Sequence, residues 1–289
     1  MPSERIQWFP GHMAKTRRLI AENLKDVDLV FELLDARIPR SSENPEIAGL
    51  TAGRPRLTLL SKSSLADPSV TEAWKKSFRE SGAACIFYDC RTGEGISEIA
   101  PAVRRLCADK LQKYRERGME GRRLRAMIVG IPNVGKSSLI NRLSAASKAK
   151  VEDRPGVTLN KQWVTTALGF DLLDMPGVLW PKFDDRTVGE NLALTGAIRD
   201  EIMDVEMLAC VLCGRLRTAY PAMFAARYKF EETAVQELTD AALVEHIGRR
   251  RGFLVSGGEG DFLRTANMLL DEFRAGKIGR ITLESPETS

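Results

Sequence analysis

The first strong feature of the chain is VDLVFELLDA, a nearly unbroken apolar run over residues 27–36. A run of that length with no helical period reads as a strand buried on both faces. The next apolar run, residues 56–60, ends in SKSSLAD, and a helical stretch over residues 70–81 leads to a third strand over residues 84–88 that runs into DCRTGEG. Strand, helix and strand alternate, with polar loops at the carboxyl ends of the strands, where open α/β sheets take their ligands. Residues 96–125 carry a helical pattern rich in positive charge, after which Met127, Ile128 and Val129 make another strand and Leu139, Ile140 and Leu143 the apolar side of a helix. Two further strands, residues 163–167 and 170–173, flank Gly169 as a hairpin turn. Beyond residue 184 the apolar positions repeat at about 3.6 residues, through to residues 262–274, with no strand-like stretch of comparable weight. The pattern predicts an α/β unit over residues 1–183, a mostly parallel sheet flanked by helices, and then a small all-α domain over residues 184–289.

The loop between the 127–129 strand and its helix carries the first chemistry. Gly130 to Ser137 fit G-x-x-x-x-G-K-[ST], a spacing that turns backbone N–H groups inward around phosphate oxygens. Gly130, Asn133, Val134, Gly135, Lys136, Ser137 and Ser138 are the candidate phosphate contacts. Lys136 reaches the β/γ-phosphates, Ser137 Oγ ligates Mg²⁺, and the helix that follows aims its positive end at the anion. Downstream, Thr158 lies in the polar loop VEDRPGVTLNKQ, and the second hairpin strand ends in Asp174-Met175-Pro176-Gly177. An acid so placed holds the hydration shell of Mg²⁺, and the Gly177 N–H can meet a γ-phosphate. Thr158 and Asp174 thus mark a candidate switch, two loops whose contacts exist only while the γ-phosphate does.

Composition adds bounds. With 289 residues, 43% of them hydrophobic, the chain can bury one or two cores and is not disordered. A formal net charge of +4 does not by itself mark a nucleic-acid binder. Its distribution is more informative: basic residues gather at 104–125, at Arg249-Arg250-Arg251 and at Arg274, Lys277 and Arg280. Each group reads either as solvated surface or as an RNA-facing patch. No apolar run approaches the roughly 18 residues of a membrane span, and the first residues lack the apolar core of a signal peptide. A cytoplasmic monomer with no membrane partner is expected. The five cysteines are an odd count, and Cys210 and Cys213 sit in an apolar helical pattern that reads as packing. His12 falls in a Gly-flanked turn, where it is either structural or a mobile group able to reach a neighbouring site.

The order of these parts is unusual. The base-reading candidates, SKSS at 61–64 and CRT at 90–92, precede GIPNVGKSS, Thr158 and DMPG. That order resembles the circularly permuted Ras-like P-loop GTPases. The stretches WFPGHMAK, LDARIP, SSENP, RPGVT, LALTGAIRD, RRRG with VSGGE, and FRAGKIGRITLE are similar to the RbgA/YlqF family of ribosome-assembly GTPases over nearly the whole chain. The resemblance implies a permuted G domain followed by a helical RNA-contacting domain, with GTP as substrate, Mg²⁺ held by Ser137 and Thr158, and a precursor of the large ribosomal subunit as partner. It implies that nucleotide state sets affinity for that particle, and that turnover is slow alone and stimulated by the particle. Val178 stands where a Ras-like enzyme has the water-orienting Gln, and the resemblance hands that task to His12, with Lys136 as the other catalytic residue. Asn133 matches the position that coordinates potassium in cation-activated relatives.

The base-reading elements depart from the family pattern. N-K-x-D would place Asn at Ser61 and Asp at Ser64, and S-A-K gives way to Cys90, Arg91 and Thr92. The expected base-binding set is therefore Ser61, Lys62, Ser64, Cys90 and Arg91. A neutral hydroxyl in place of a bidentate carboxylate costs on the order of 2 to 4 kcal/mol of guanine affinity. Asp67 could replace it only through a rearranged loop. Relaxed base choice, or a non-hydrolysing RNA-binding scaffold with a degenerate guanine site, are the rival expectations.

Overall fold

A strand apolar on both faces needs a hydrogen-bonded neighbour on each edge and cover above and below. The computed structural model describes residues 10–144, 163–180, 183, 185–255 and 258–286, the side chains of residues 10–13, 232 and 234 excepted. In it the 27–36 run supplies β1 (Leu29–Asp35), buried at every position. β1 pairs in parallel with β2 (Arg56–Ser61) on one edge and β4 (Leu124–Gly130) on the other. With β3 (Cys85–Phe87), β5 (Trp163–Thr165) and β6 (Phe170–Asp174), the described strands form one six-stranded sheet in the order β3-β2-β1-β4-β6-β5. β5 and β6 pair antiparallel, as a hairpin; the other pairings are parallel. Register puts Asp35 opposite Ser61, Leu33 opposite Gly130 and Ile128 opposite Asp174, so the carboxyl ends of the central strands share one edge of the sheet.

Before the hairpin come α1 (Pro10–Leu24), α2 (Pro45–Leu50), α3 (Pro68–Glu80), α4 (Ile96–Leu106), α5 (Ala108–Glu116) and α6 (Lys136–Ser144). After it come α7 (Arg186–Leu194), α8 (Val205–Ala219), α9 (Pro221–Tyr228), α10 (Glu232–Glu237), α11 (Asp240–Arg250) and α12 (Phe262–Arg274). The side-chain period of two divides β1 between the faces: Val30 packs with Ile20 of α1 and Ile47 of α2, while Leu29, Phe31 and Leu33 join Ile99 and Leu139 of α4 and α6. That second cluster continues through Leu179 and Trp180 into α7, α8, α11 and α12 without a break. Cys213 is buried in it on α8, one turn after the half-buried Cys210.

Several expected elements are shorter or begin elsewhere. The helical pattern of 96–125 breaks at Cys107 and ends at Glu116, and Leu124 and Arg125 belong to β4. β3 and β5 cover only three residues each. Pro10, whose missing N–H and fixed φ suit a first helical position, starts α1, so His12 lies in a helical turn and not in a free one. The side chain of His12 and the whole of Thr158 lie outside the described residues.

The stretch after α12 returns to the sheet as a strap. Ile281 N donates to Leu65 O (2.9 Å), Leu283 N to Arg37 O (2.8 Å), and Asp67 N to Thr282 Oγ1 (2.9 Å). The Glu284 carboxylate accepts from the backbone N–H of Arg40 (2.8 Å) and Ser41 (3.1 Å) and from Asn191 Nδ2 of α7 (2.8 Å).

Candidate nucleotide site

The loop between β4 and α6 curls at the common edge of the strands. Gly130 fits because a Cβ there would lie 2.7 Å from Leu33 O on the neighbouring strand. Val134 and Leu139 anchor the loop in the core, while Asn133, Ser137 and Ser138 face solvent. Lys136 Nζ bends back onto the loop and donates to Ile131 O (2.8 Å) and Gly130 O (3.2 Å). Burial pushes its ammonium down to about 8, against the opposing pull of Asp174. The Asp174 carboxyl is raised by burial, with Lys136 opposing, and its Oδ1 is buried with no hydrogen-bond partner among the described residues. An orphaned carboxylate oxygen within the electrostatic reach of Lys136, the residue before exposed Ser137, suits a hydrated Mg²⁺, which takes oxygen ligands and keeps several waters. Gly177 packs on the loop from the other side: a Cβ there would stand 2.9 Å from Pro132 N and 3.1 Å from Lys136 Nζ. Val178, buried, donates its N–H to Gly130 O at 3.1 Å.

The second group of expected residues lies on the β1 and β2 ends. Lys62, in the left-handed conformation at φ 60°, spans Asp35 Oδ2 (2.8 Å) and Asn133 O (2.9 Å). Burial alone would raise Asp35, but Arg37, bidentate on it, and Lys62 hold its carboxyl well below the usual carboxylate range. Ser61 is 2% exposed, with its hydroxyl 2.6 Å from Val134 O. It ties β2 to the phosphate loop and faces away from solvent. Ser64 is half-buried, in a short 3-10 turn over Ser63–Leu65. Asp67 is not free to approach a base: it caps α3, accepting from Ser69 N (2.7 Å) and Val70 N (3.2 Å). Cys90 and Arg91 follow β3; burial pushes the Cys90 thiol up to about 11, and Arg91 is exposed.

Two connections join this edge to the helices beyond the hairpin. Asn133 Nδ2 donates to Gly196 O, just past α7, at 2.7 Å. Arg280 of the strap donates to Ala66 O (2.8 Å) and Ser63 O (3.1 Å) in the base-reading loop. Arg274 is likewise spent internally, on Asp200 (2.6 and 2.7 Å) and on the last carbonyls of α7. These two arginines brace the molecule through the donors they spend on it. Of the basic group at 274–280, Lys277 and Arg280 are exposed and Arg274 is half-buried.

With this geometry the comparisons have a clear sense. Residues 125–220 match the family described as 50S ribosome-binding GTPase. The chain is 46% identical over 282 residues to ribosome biogenesis GTPase A of Bacillus licheniformis, covering 98% of this chain and 99% of that one. It belongs to the ribosome biogenesis GTPase A family. A more distant relative, mitochondrial ribosome-associated GTPase 1 of Mus musculus, is 33% identical over 296 residues, covering 96% of this chain and 90% of that one. Among solved structures, GNP-bound YlqF from T. maritima superposes with a TM-score of 0.65 at 25% identity, covering 95% of this chain and 100% of that one. The fold is thus the YlqF-like one, a GTPase domain in which β1, β2 and β3 precede the strand that carries the phosphate loop. Among the described residues, no helix is long and apolar enough to cross a membrane.

One residue of the site escaped the sequence reading. Asp89, after β3, is 2% exposed and accepts from Ser64 Oγ at 2.5 Å. DCRTGEG reads as a turn, and the sign that its acid faces the base-reading loop is a contact across 25 positions.

Proposed function

We propose that the chain binds and hydrolyses GTP as an assembly factor for the large ribosomal subunit, and that bound nucleotide controls its association with the precursor particle. The family supports the first part. The two hydrogen-bonded connections support the second: Asn133 on the phosphate loop and Ser63–Ala66 in the base-reading loop are each tied to the segments after residue 184. A change in either loop on loss of the γ-phosphate is transmitted by direct contact.

In this reading residues 1–183 carry the nucleotide and residues 184–289 meet RNA. Lys136 would leave its carbonyl partners for the β- and γ-phosphates, and Ser137 and Thr158 would hold Mg²⁺, with Asp174 as the acid for its hydration shell. The ion would neutralise charge developing on the phosphate oxygens. Water attacks the γ-phosphorus, the bond to the bridging β–γ oxygen breaks, and GDP and phosphate leave; His12 orients the water, since Val178 cannot. The carrying observation is Lys136 folded onto the carbonyls of its own loop, half-buried within the electrostatic reach of the half-buried Asp174 and with Gly177 packed against it.

Co-sedimentation with large-subunit precursors tests the switch: the complex is expected with a non-hydrolysable GTP analogue and lost with GDP, whereas binding indifferent to nucleotide overturns it. His12→Ala is expected to cut particle-stimulated turnover by about a hundredfold or more while sparing nucleotide affinity. Unchanged turnover removes His12 from the mechanism.

A further inference from the structure

The missing acid of the base-reading loop has a counterpart on the next loop. Ser64 stands where the loop would present a carboxylate, and its hydroxyl lies 2.5 Å from Asp89 Oδ2, a separation typical of a hydroxyl donating to an ionised carboxylate. Asp89 is buried and Ser64 half-buried, so the serine is the more accessible member of the pair. Its other oxygen is fixed: Asp89 Oδ1 accepts from Arg91 N (2.6 Å) and Thr92 N (3.2 Å). Burial pushes the Asp89 carboxyl up, but the hydrogen bonds from Ser64, Arg91 and Thr92 outweigh it and keep the group below the usual carboxylate range.

We propose that Asp89 is a specificity-determining positioning residue for the base: it takes the one hydrogen of Ser64, so that Ser64 meets the ligand only as an acceptor. A serine hydroxyl has one donor and two lone pairs. With the hydrogen committed to Asp89, both lone pairs are left for donors, and the carboxylate polarises the oxygen. Guanine presents N1–H and a 2-amino group along that edge and is accepted, whereas adenine presents a lone pair at N1 and is refused. The function of an acid at position 64 is thereby divided between two loops, Ser64 making the contact and Asp89 setting its polarity. The strap holds the first of these loops, through Ile281 N on Leu65 O and Arg280 on Ser63 O and Ala66 O. The inference rests on the reading of the site as one for GTP.

Asp89→Asn tests it. The backbone N–H groups of Arg91 and Thr92 hold the amide oxygen, so the amide NH₂ turns toward Ser64 and donates to it. The Ser64 hydrogen is then released outward, where it suits the 2-carbonyl of xanthine and opposes the 2-amino group of guanine. In equilibrium titrations of the full chain, the GTP-to-XTP affinity ratio is expected to fall about a hundredfold, with GTP weakened about tenfold or more. The exchange variant, Ser64→Asp with Asp89→Ser, restores the pair with its members reversed and is expected to keep the preference for GTP. An unchanged ratio in Asp89→Asn, or equal weakening of GTP and XTP, overturns the proposal and leaves Asp89 a turn former. Loss of GTP preference in the exchange variant with its fold intact also counts against it. A wild-type protein that binds ATP as well as GTP overturns the reading of a guanine site itself, a different failure from either of these.

Discussion

Lys136 folds back onto carbonyls of its own loop, and burial brings its ammonium down to about 8. An unfolded lysine keeps its proton up to about 10.5. Between those values the unfolded chain binds more protons than the folded one, so the stability of the nucleotide-free protein rises with pH across that window. A polyphosphate beside Lys136 favours the charged form again. Nucleotide binding at pH 9 is therefore expected to take up protons and to do so negligibly at pH 6.5. Calorimetric titration in buffers of different ionisation enthalpy measures this directly, and heats at pH 9 that ignore the buffer would place Lys136 away from the phosphates. Lys136 was legible in the sequence because Gly130 to Ser137 is contiguous and its spacing is dictated by the ligand. Asp89 was not, because an acid before Cys90-Arg91-Thr92 is an ordinary turn former, and only the fold brings it to Ser64. Ser61 shows the same limit in reverse: its place in the motif suggests contact with a base, yet its hydroxyl serves the carbonyl of Val134.

Among the elements, strands and helices with a clean period were readable and their ends were not. β1 announced itself because burial on both faces forces an apolar run. β4 was half-hidden, since Arg123 and Arg125 at its start read as the continuation of a basic helix. Arg123 is in fact spent on Asp171 (2.7 Å) and Phe170 O (2.8 Å), fastening the β5–β6 hairpin, and Arg125 lies over the Trp163 ring at 5.1 Å. The strap after α12 has no period at all; it is held by hydrogen bonds to distant loops together with Ile278 and Ile281, which are buried in the main hydrophobic cluster. Arg280→Ala removes two charge-assisted bonds to carbonyls of the base-reading loop, and GTP affinity is expected to fall about tenfold, with little change for inorganic pyrophosphate. Titration with both ligands checks this; GTP affinity equal to wild type would remove the strap from the positioning of that loop.

At the scale of the molecule, the pattern of composition divides the chain near residue 184, but packing does not. The hydrophobic cluster on one face of the sheet continues through Leu179 and Trp180 into α7, α8 and α12, and Glu284 is held at once by Arg40, Ser41 and Asn191. Units that share a core open together. Thermal unfolding followed by calorimetry and by tryptophan fluorescence is expected to give one coincident transition, and two separated transitions would show that the halves are independent. Positive charge was the poorest guide at this scale. A net charge says nothing of which arginines are spent inside the chain, and Arg123, Arg274 and Arg280 each give donors to carboxylates or carbonyls of the chain itself.

The strap also fixes an order of events during synthesis. The strands, the phosphate loop and the base-reading loop are all translated before residues 278–284, and domains collapse as their chain emerges. Until residues 278–284 are made, Leu65 O, Arg37 O and the carbonyls of Ser63 and Ala66 lack the partners the strap gives them. Those loops therefore gain their strap contacts only after residues 278–284 have been made, well after the phosphate loop itself.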